Sequence, residues 1–295
     1  GDKDNFNIAG DGTCMPTHAS HRGKKICSCD LKPGHSCDCM RKFMDPTASW
    51  GWDSYNEAWF YGHSFHCFTA CDSFYSLPIH IKCVTAERHD SVTGVYALAE
   101  LLRLYPEFWF KTAVFDSAYD SNYFYLLNLN YGINPVIDLN ERASKPVSCN
   151  ELIEYDEYGI PHGKVCGLRF RNWGLMQESF RRKWLFPAQC DNCNRCPAKS
   201  NWCKYTPTKE NPRYFSPILR GTDEWRSRYK RRSTTERLWD RVKLDFKAET
   251  AVVYSKEQRI VRVFLGAFCC YIDAWFNESS LRITDIFPGL QGVAA

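Results

Sequence analysis

The chain has 295 residues, 44% of them hydrophobic and 24% charged, which excludes a disordered or fibrous protein. No run of eighteen apolar residues occurs, so we expect no contact with a membrane. The net charge is only +4, but residues 226–243 hold eight Lys and Arg against two acids, and such a cluster favours a polyanionic partner. The chain starts Gly-Asp-Lys-Asp, without Met or an apolar signal segment, so we expect a soluble piece of a longer protein.

The first predicted element is a short extended stretch, residues 6–10, which ends at Asp11 and a glycine turn. Residues 14–57 show no clean period and contain several cysteines and cations, so we predict an inserted loop or a small metal-bound lobe. Residues 58–72 are rich in aromatics and Thr, and residues 79–85 alternate apolar and polar side chains. These last two stretches predict a pair of antiparallel strands.

Sixteen cysteines are a high number, but a secreted disulfide framework usually stabilises domains too small to build a core. Here the cysteines cluster, which favours structural zinc, with free cytosolic thiols as the alternative. The spacing that better suits zinc, Cys-x2-Cys-x2-Cys-x6-Cys, belongs to Cys190, Cys193, Cys196 and Cys203. A second group is built from Cys-x-Cys pairs, a spacing less typical of zinc: Cys27, Cys29, Cys37 and Cys39.

The middle of the chain alternates helices and strands. Residues 90–104 predict a helix with an acidic cap and apolar positions three and four apart. Residues 112–115 predict a buried strand that stops at Asp116, with a helix following at about 122–131 and one more strand at 134–140. An acid directly after an apolar strand lies at the strand's carboxyl end, where open α/β sheets bind ligands.

The order of three strands, a helix, a strand, a helix and a strand is that of an RNase H-like fold. We therefore predict an α/β protein with a mixed sheet flanked by helices, which brings Asp11 and Asp116 together on adjacent strand ends. Residues 141–222 break this pattern with many prolines and short β-like stretches. Two helices follow, at about 225–246 and 257–276.

The helix predicted at 225–246 carries four functional residue types on one stripe. Tyr229, Arg232, Glu236 and Lys243 follow at separations of three, four and seven, which fall on one face of a helix. A solvated charge run on a surface helix is the ordinary alternative for such a segment.

This Tyr-x2-Arg-x3-Glu-x6-Lys pattern resembles, at every spacing, the signature of the insertion-sequence-four family of bacterial DDE transposases. The resemblance implies a DNA transposase that catalyses metal-dependent phosphodiester hydrolysis and strand transfer at transposon ends, in cut-and-paste transposition. It implies that Asp11, Asp116 and Glu236 are the catalytic acids and that they bind two Mg2+ or Mn2+ ions. Asp53 and Asp120 are the acids most easily mistaken for members of this set.

The resemblance also implies a layout and partners. It assigns residues 1–140 to the first part of the core, with the Cys-rich loop at about 14–57. It assigns 141–222 to a β-rich insertion with a candidate zinc site, and 223–295 to the C-terminal core helices. The implied partners are double-stranded DNA, as terminal inverted repeats and as target, and a second copy of the chain in a homodimer on DNA. The implied location is the bacterial cytoplasm, in association with the nucleoid.

Several side chains are expected to contact this DNA. The candidate phosphate ligands are Arg228, Tyr229, Lys230, Arg231, Arg232 and Lys243, and residues 181–183 of the insertion add three cations. Family members also flip a base near the cut and stack it on an aromatic side chain, for which Trp173, Trp184 and Trp202 are candidates, with burial in a core as the alternative. A different function stays open: a catalytically silent, truncated transposase-derived protein that binds DNA or zinc, since only ten residues precede Asp11.

Overall fold

A computed structural model of the protein describes residues 6–29, 37–140, 152–187 and 203–279. The chain divides into two compact units. The first comprises Gly1–Asp11 and Asp90–Ser233, and the second comprises Gly12–His89 and Thr234–Ala295. Both units mix strands with helices, so the predicted α/β class is confirmed at this level. The division of the chain at residues 140 and 222 stays a prediction.

The elements of the described residues are as follows. The strands are β1 (Phe6–Pro16), β2 (Lys24–Lys25), β3 (Arg41–Lys42), β4 (Ser49–Asp53), β5 (Ala58–Ala70), β6 (Pro78–Thr85), β7 (Phe110–Phe115), β8 (Asn134–Ile137), β9 (Ile153–Tyr155), β10 (Pro161–Gly163), β11 (Arg171–Met176), β12 (Arg181–Leu185) and β13 (Cys203–Thr206). The helices are α1 (Asp90–Leu104), α2 (Asn122–Asn130), α3 (Asp223–Tyr229), α4 (Ser233–Asp240) and α5 (Lys256–Glu278).

In the first unit, β1, β7 and β8 form parallel pairs in that order. Parallel strands require crossover connections, which α1 and α2 provide between the strands of this unit. The strands are buried, as their nearly unbroken apolar sequence predicts, and the rings of Phe115, Tyr119 and Phe124 pack against one another with centroids 4.6–5.6 Å apart. The predicted strands and helices between residues 90 and 137 are therefore confirmed, with boundaries shifted by a few residues.

The later part of the first unit is β-rich, as the prolines and short apolar stretches predict. Strands β9 and β10 pair with each other, and β11, β12 and β13 form a separate antiparallel sheet. Ile153, Phe170, Trp184 and Leu219 are buried together and form a small core of their own. This lobe therefore has its own apolar cluster rather than a loose loop structure.

In the second unit, β5 is the central strand. It pairs antiparallel with β4 and β6 and also neighbours β1. The antiparallel pair predicted at 58–72 and 79–85 is confirmed, but β4 lies within the stretch predicted as a loop. The core combines strand residues with helical ones: Met15, Phe65, Cys67, Leu238, Trp239, Val242, Ala248, Val263 and Cys270.

Strand β1 is longer than the sequence predicts. The expected turn after Asp11 is wrong, because the chain remains extended through Gly12 as far as Pro16. Past Pro16 the amide of Thr17 still donates to the carbonyl of Tyr61 over 3.0 Å. A long-range partner strand supplies hydrogen bonds to this stretch, so its glycine does not begin a turn.

The helix predicted over 225–246 is not one continuous α-helix. Residues Lys230–Arg232 form a 3-10 turn between α3 and α4, and Arg241–Asp245 form a π-helical turn after α4. The hydroxyl of Ser233 donates to the carbonyl of Lys230 over 3.1 Å, and a side chain that bonds a nearby carbonyl competes with the α-helical pattern. The prediction of one continuous α-helix is therefore wrong, while the shared face of Tyr229, Arg232, Glu236 and Lys243 stays a prediction.

Helix α5 confirms the core helix predicted at 257–276. Arg259 is fully buried and donates to the carbonyls of Ala248 and Pro16, and its burial lowers the pKa of its guanidinium. By length and composition alone α5 could cross a membrane, which is weak evidence because the core helix of a soluble protein passes the same test. Its row of buried residues, including Val263 and Cys270, belongs to the core of the second unit.

Candidate active site

Asp11 and Asp116 lie level with each other on neighbouring parallel strands. In the register of β1 and β7, Ala9 pairs with Val114, and each acid lies two residues further along. Asp116 keeps an extended backbone, just past the end of β7. Neighbouring strands are about 4.8 Å apart, and level residues present their side chains on one face. The first unit therefore places two half-buried carboxylates side by side at the carboxyl end of β7.

The carboxylate of Asp116 also caps a turn. Its Oδ1 accepts a hydrogen bond of 2.9 Å from the amide of Ala118, at the start of the 3-10 turn Ser117–Tyr119. This contact restricts the rotation of the side chain. An ionised carboxylate has two oxygens and about four lone pairs, so capping and metal binding are compatible at one residue.

Asp120 has a structural partner instead. Its buried carboxylate accepts two hydrogen bonds of 2.8 Å from Arg213, and a third of 2.9 Å from the amide of Asn140. The fork of an arginine matches a carboxylate in this bidentate geometry, and the hydrogen bonds that Arg213 donates to Asp120 raise the pKa of Arg213. The Asp120 carboxylate is thereby paired with a cation of its own chain.

A second arginine, Arg220, contacts residues that bind Asp120. Arg220 is almost fully buried and donates to the hydroxyl of Tyr125 and the carbonyl of Arg213, both over 2.7 Å, and to the carbonyl of Ile137 over 3.1 Å. Ile137 is the last residue of β8, so this side chain joins the strand ends to the loop that carries the arginines. Burial raises the pKa of Tyr125, which keeps its hydroxyl protonated.

Glu236 lies on α4, and its helix belongs to the second unit from Thr234 onwards. Leu238 and Trp239 anchor the helix in the core of that unit. The hydroxyl of Thr235 forms a buried hydrogen bond of 2.7 Å with that of Thr69 on β5. Glu236 itself is half-buried. Rigid packing on both sides thus holds the backbone of this acid.

Tyr229 and Arg232 form a stack in the first unit. The ring of Tyr229 stacks on that of Trp225 with centroids 4.6 Å apart, and the guanidinium of Arg232 lies 5.9 Å from the Tyr229 ring. A cation over an aromatic face is attracted by the ring's quadrupole, which favours one arrangement of a long side chain. The predicted phosphate ligands Tyr229 and Arg232 therefore support each other.

Arg228 and Arg231 line a cavity in the first unit. A cavity of about 280 Å³ is lined by Asn7, Lys111, Glu224, Ser227, Arg228 and Arg231. Arg228 donates to Thr112 and to Glu224, both over 2.9 Å. Thr112 precedes Asp116 by four residues along β7, which corresponds to about 13 Å. Arg228 thus contacts the strand well away from the acids, while Lys230 is exposed on the 3-10 turn.

Lys243 pairs with an acid in the second unit. Its Nζ lies 2.8 Å from Glu249 Oε1. Asp53, the other acid considered from the sequence, accepts hydrogen bonds from the amides of Tyr55 and Asn56 and from the Asn56 side chain. Burial would raise the pKa of Asp53, but these hydrogen bonds and the charge of Lys243 together lower it. Asp53 is therefore an acid that closes a turn.

The tryptophans differ in their surroundings. Trp184 is buried in the small core of the first unit, and its Nε1 donates to Thr206 over 3.0 Å. Trp173 is 64% exposed, with the ammonium of Lys183 5.3 Å from its ring. Trp202 lies outside the described residues. Of the two candidate tryptophans that the structure describes, Trp173 presents a ring that a base could stack on and Trp184 does not.

A comparison with protein families gives one result that covers both acids of the first unit. The family model described as a transposase DDE domain matches residues 8–272. The chain belongs to this transposase family. A search of curated proteins finds no match. Transposases of the DDE family act on DNA in recombination and generally use divalent metal ions, and the family match supports a transposase function for this chain.

One of the two cysteine groups of the DDE domain lies within the described residues and can be assessed there. Three members of the group with the more zinc-like spacing, Cys190, Cys193 and Cys196, lie outside the described residues. In the other group, the sulfurs of Cys27, Cys29, Cys37 and Cys39 all lie within 4.8 Å of one another. Hydrogen bonds from the backbone of Cys29 and the thiol of Cys37 lower the pKa of Cys27 to about 6. The described cysteines are free thiols, so no disulfide framework is present among them.

The sequence did not reveal the arginines that support the acidic loop of this DDE domain. Arg213 and Arg220 lie in the stretch interpreted as an insertion, 93 and 95 residues from their partners Asp120 and Tyr125. One feature of the sequence could have indicated such a partner. Asp116 and Asp120 lie close together at one strand end, and two neighbouring acids need a compensating positive charge.

Proposed function

We propose that the chain is the catalytic domain of a transposase of the insertion-sequence-four type. In this proposal it catalyses phosphodiester hydrolysis and strand transfer at transposon ends, in cut-and-paste transposition. The observation that carries the proposal is the level placement of Asp11 and Asp116 on adjacent parallel strands, in a chain whose family match covers both. The spacing of Tyr229, Arg232, Glu236 and Lys243 supports the family subtype.

The acids suit a hard divalent cation. Two neighbouring carboxylates repel each other, and a cation between them removes that repulsion. Mg2+ or Mn2+ prefers oxygen ligands, and Asp11 and Asp116 offer only oxygens. Glu236 supplies the third carboxylate in this proposal. When bound, a pair of such ions activates an attacking oxygen and stabilises a leaving one in phosphodiester displacement.

The protein's own residues contribute position and charge. The cap on Asp116 and the buried Asp120–Arg213 pair hold one acid in place before DNA binds. The stacked Arg232 offers a planar fork to a phosphate with little loss of side-chain entropy, and Lys230 adds an exposed point charge. Lys243 can reach a phosphate only by sharing or releasing Glu249. Arg228 and Arg231 would contact phosphates further from the scissile bond.

The remaining parts of the proposal follow from the family subtype. The fold class in this proposal is RNase H-like, with the β-rich lobe between β8 and α3 as its insertion. The DNA is double-stranded, as terminal inverted repeats and target. The active form is a homodimer on paired ends, in the bacterial cytoplasm at the nucleoid.

The test is metal-dependent nicking of a supercoiled plasmid that carries the element's terminal repeats. Glu236→Gln keeps the size of the side chain and removes its charge, so we expect nicking to disappear. Asp240→Asn removes an exposed acid four residues further along the same helix and serves as the matched control. A Glu236→Gln protein that nicks as fast as wild type would falsify the assignment of the third acid.

A further inference from the structure

The ribbon formed by β2 and β3 has almost no apolar interior. Among the described residues from 24 to 42, the side chains that are not exposed are Cys27, Cys29 and Cys37. The apolar side chains of Ile26 and Met40 are 63% and 85% exposed. Structures too small to bury an apolar core usually need a disulfide or a metal ion to hold them together. Among the described residues of this ribbon, only cysteine sulfurs are candidates for an interior.

The four sulfurs gather at one point. The Sγ atoms of Cys27 and Cys37 are 3.4 Å apart, as are those of Cys29 and Cys39, and all four lie within 4.8 Å of one another. A Zn–S distance of about 2.3 Å corresponds to a tetrahedron whose sulfurs are about 3.8 Å apart. Shifts of a few tenths of an ångström would bring the close pairs to this geometry.

The backbone does not produce this cluster by continuing the ladder. Lys24 pairs with Lys42 and Lys25 with Arg41 in the antiparallel ribbon. Continued, this register would place Cys27 opposite Cys39, yet its close neighbour is Cys37. The chain therefore leaves the ladder beyond Lys25 to bring all four sulfurs together.

The ribbon next to the cluster is basic. Four thiolates around Zn2+ carry a net charge of −2, and the adjacent ribbon carries four exposed cations: Lys24, Lys25, Arg41 and Lys42. Nearby cations stabilise the thiolate, which is the metal-binding form of cysteine. Lys25 also donates to the carbonyl of Cys29 over 2.6 Å, which holds one charge next to the cluster.

The close approach of the two segments requires a glycine. A Cβ at Gly23 would lie 2.6 Å from the Cβ of Arg41, so a larger residue at this position would push the ribbon apart. Arg41 also donates to the carbonyl of Gly23 over 3.3 Å. The ribbon is thus closed at its base and brings both Cys-x-Cys pairs within reach of one ion.

We propose that Cys27, Cys29, Cys37 and Cys39 bind one structural Zn2+ ion through four thiolates. Tetrahedral sulfur sites take zinc or an iron–sulfur cluster, and a closed set of four ligands with no open position is typical of structural zinc. The ion holds the ribbon folded and takes no part in the chemistry at the acids. The site is independent of the transposase proposal, because its occupancy can be measured without DNA.

The first measurement is the metal content of the full chain, purified with a thiol reductant and without chelators. We expect Cys27→Ser combined with Cys37→Ser to lose one zinc ion per chain relative to wild type. The matched control, Cys190→Ser combined with Cys193→Ser, removes two cysteines from the other group and should keep this ion. Unchanged zinc content in the first variant, or iron and sulfide in place of zinc, would overturn the proposal.

A second measurement uses the wild-type chain and does not depend on how the variants fold. In the metal-free cluster the pKa of Cys27 is lowered to about 6 by hydrogen bonds from Cys29 and Cys37, so its thiolate should react readily with iodoacetamide. We expect mass spectrometry to show Cys27 protected in reductant and alkylated after a chelator is added. Immediate alkylation in reductant without chelator would indicate free thiols. Protection that is seen without reductant and is removed by reductant alone would indicate disulfides. Either result excludes the zinc site.

Discussion

Residues 110–120 and residues 223–245 each carry an acid of the proposed site, but different interactions hold the two acids. Asp116 follows a strand whose position is set by main-chain pairing with β1 and β8. Glu236 lies on a helical segment whose hydrogen-bond pattern changes twice and which side chains anchor. Main-chain hydrogen bonds between strands tolerate most side-chain changes. The position of a segment that side chains anchor depends instead on the identity of those side chains. The two regions should therefore respond differently to substitution.

The largest effect that tests this difference is expected at the strand ends. Asp116→Asn should lower nicking by about 10³-fold or more, because a catalytic group is lost, while the fold survives. The amide oxygen of Asn can still cap the turn after β7, so the thermal midpoint should change little. Plasmid nicking and a thermal melt measure the two effects. Asp138→Asn, at an exposed acid just after the neighbouring strand β8, is the matched control and should nick normally.

The second effect is on the free energy of unfolding and concerns Asp120, which follows Asp116 by four residues. Asp120→Asn leaves Arg213 without its buried anionic partner and should lower the free energy of unfolding by about 3 kcal/mol or more. Hydrogen exchange in α2 together with urea unfolding would measure this loss. For Asp53→Asn, whose carboxylate only closes a turn in the second unit, we expect about 1 kcal/mol. Equal losses in the two variants would contradict the structural role of the Asp120–Arg213 pair.

The third effect is a pH dependence of the second unit alone. Burial, with a smaller contribution from His80, lowers the pKa of His66 to about 3. In the unfolded chain the pKa of His is about 6.5, so between these values the unfolded state binds the extra proton. Stability should therefore fall as the pH drops below about 6.5, by about 2 kcal/mol at pH 5.

The control for this pH effect is His66→Phe, which keeps a ring beside Phe68 and removes the titrating group. Urea unfolding between pH 5 and 8, followed in α5, should give a flatter profile for this variant than for wild type. Parallel profiles would show that other groups cause the pH dependence.

The smallest expected effect is at Lys243. Its pair with Glu249 is partly exposed, and such pairs contribute about 0–1 kcal/mol, so Lys243→Gln should fold normally. If Lys243 neutralises a phosphate, the salt dependence of DNA affinity should flatten by about one unit of slope. Fluorescence anisotropy at several salt concentrations measures this slope. Lys209→Gln, at an exposed cation of the β-rich lobe, should leave the slope unchanged.

The sequence predicted the strand end before Asp116 better than it predicted the surroundings of the proposed acids. Asp116 could be identified because an apolar strand of six residues ends at it, which is a local pattern. The role of Asp120 could not be identified from the sequence, because its partner Arg213 lies 93 residues away in a stretch without a clear period. The contact between Cys27 and Cys37 could not be predicted from their spacing for a similar reason. Spacing describes only positions along the chain, whereas the chain leaves the register of β2 and β3 to bring these two sulfurs together.

The sequence by itself determined the local order of this protein: α1, α2, α5, the buried strands, and the four residues from Tyr229 to Lys243 that indicate the transposase family. These features depend on periodicity and on contacts within a few residues. Only the tertiary structure decided that β1 runs past Asp11, that the helix of Glu236 is interrupted twice, and that Asp120 is paired with an arginine. The reason is physical, because distant segments supply the hydrogen bonds and charges that override local preference at those positions.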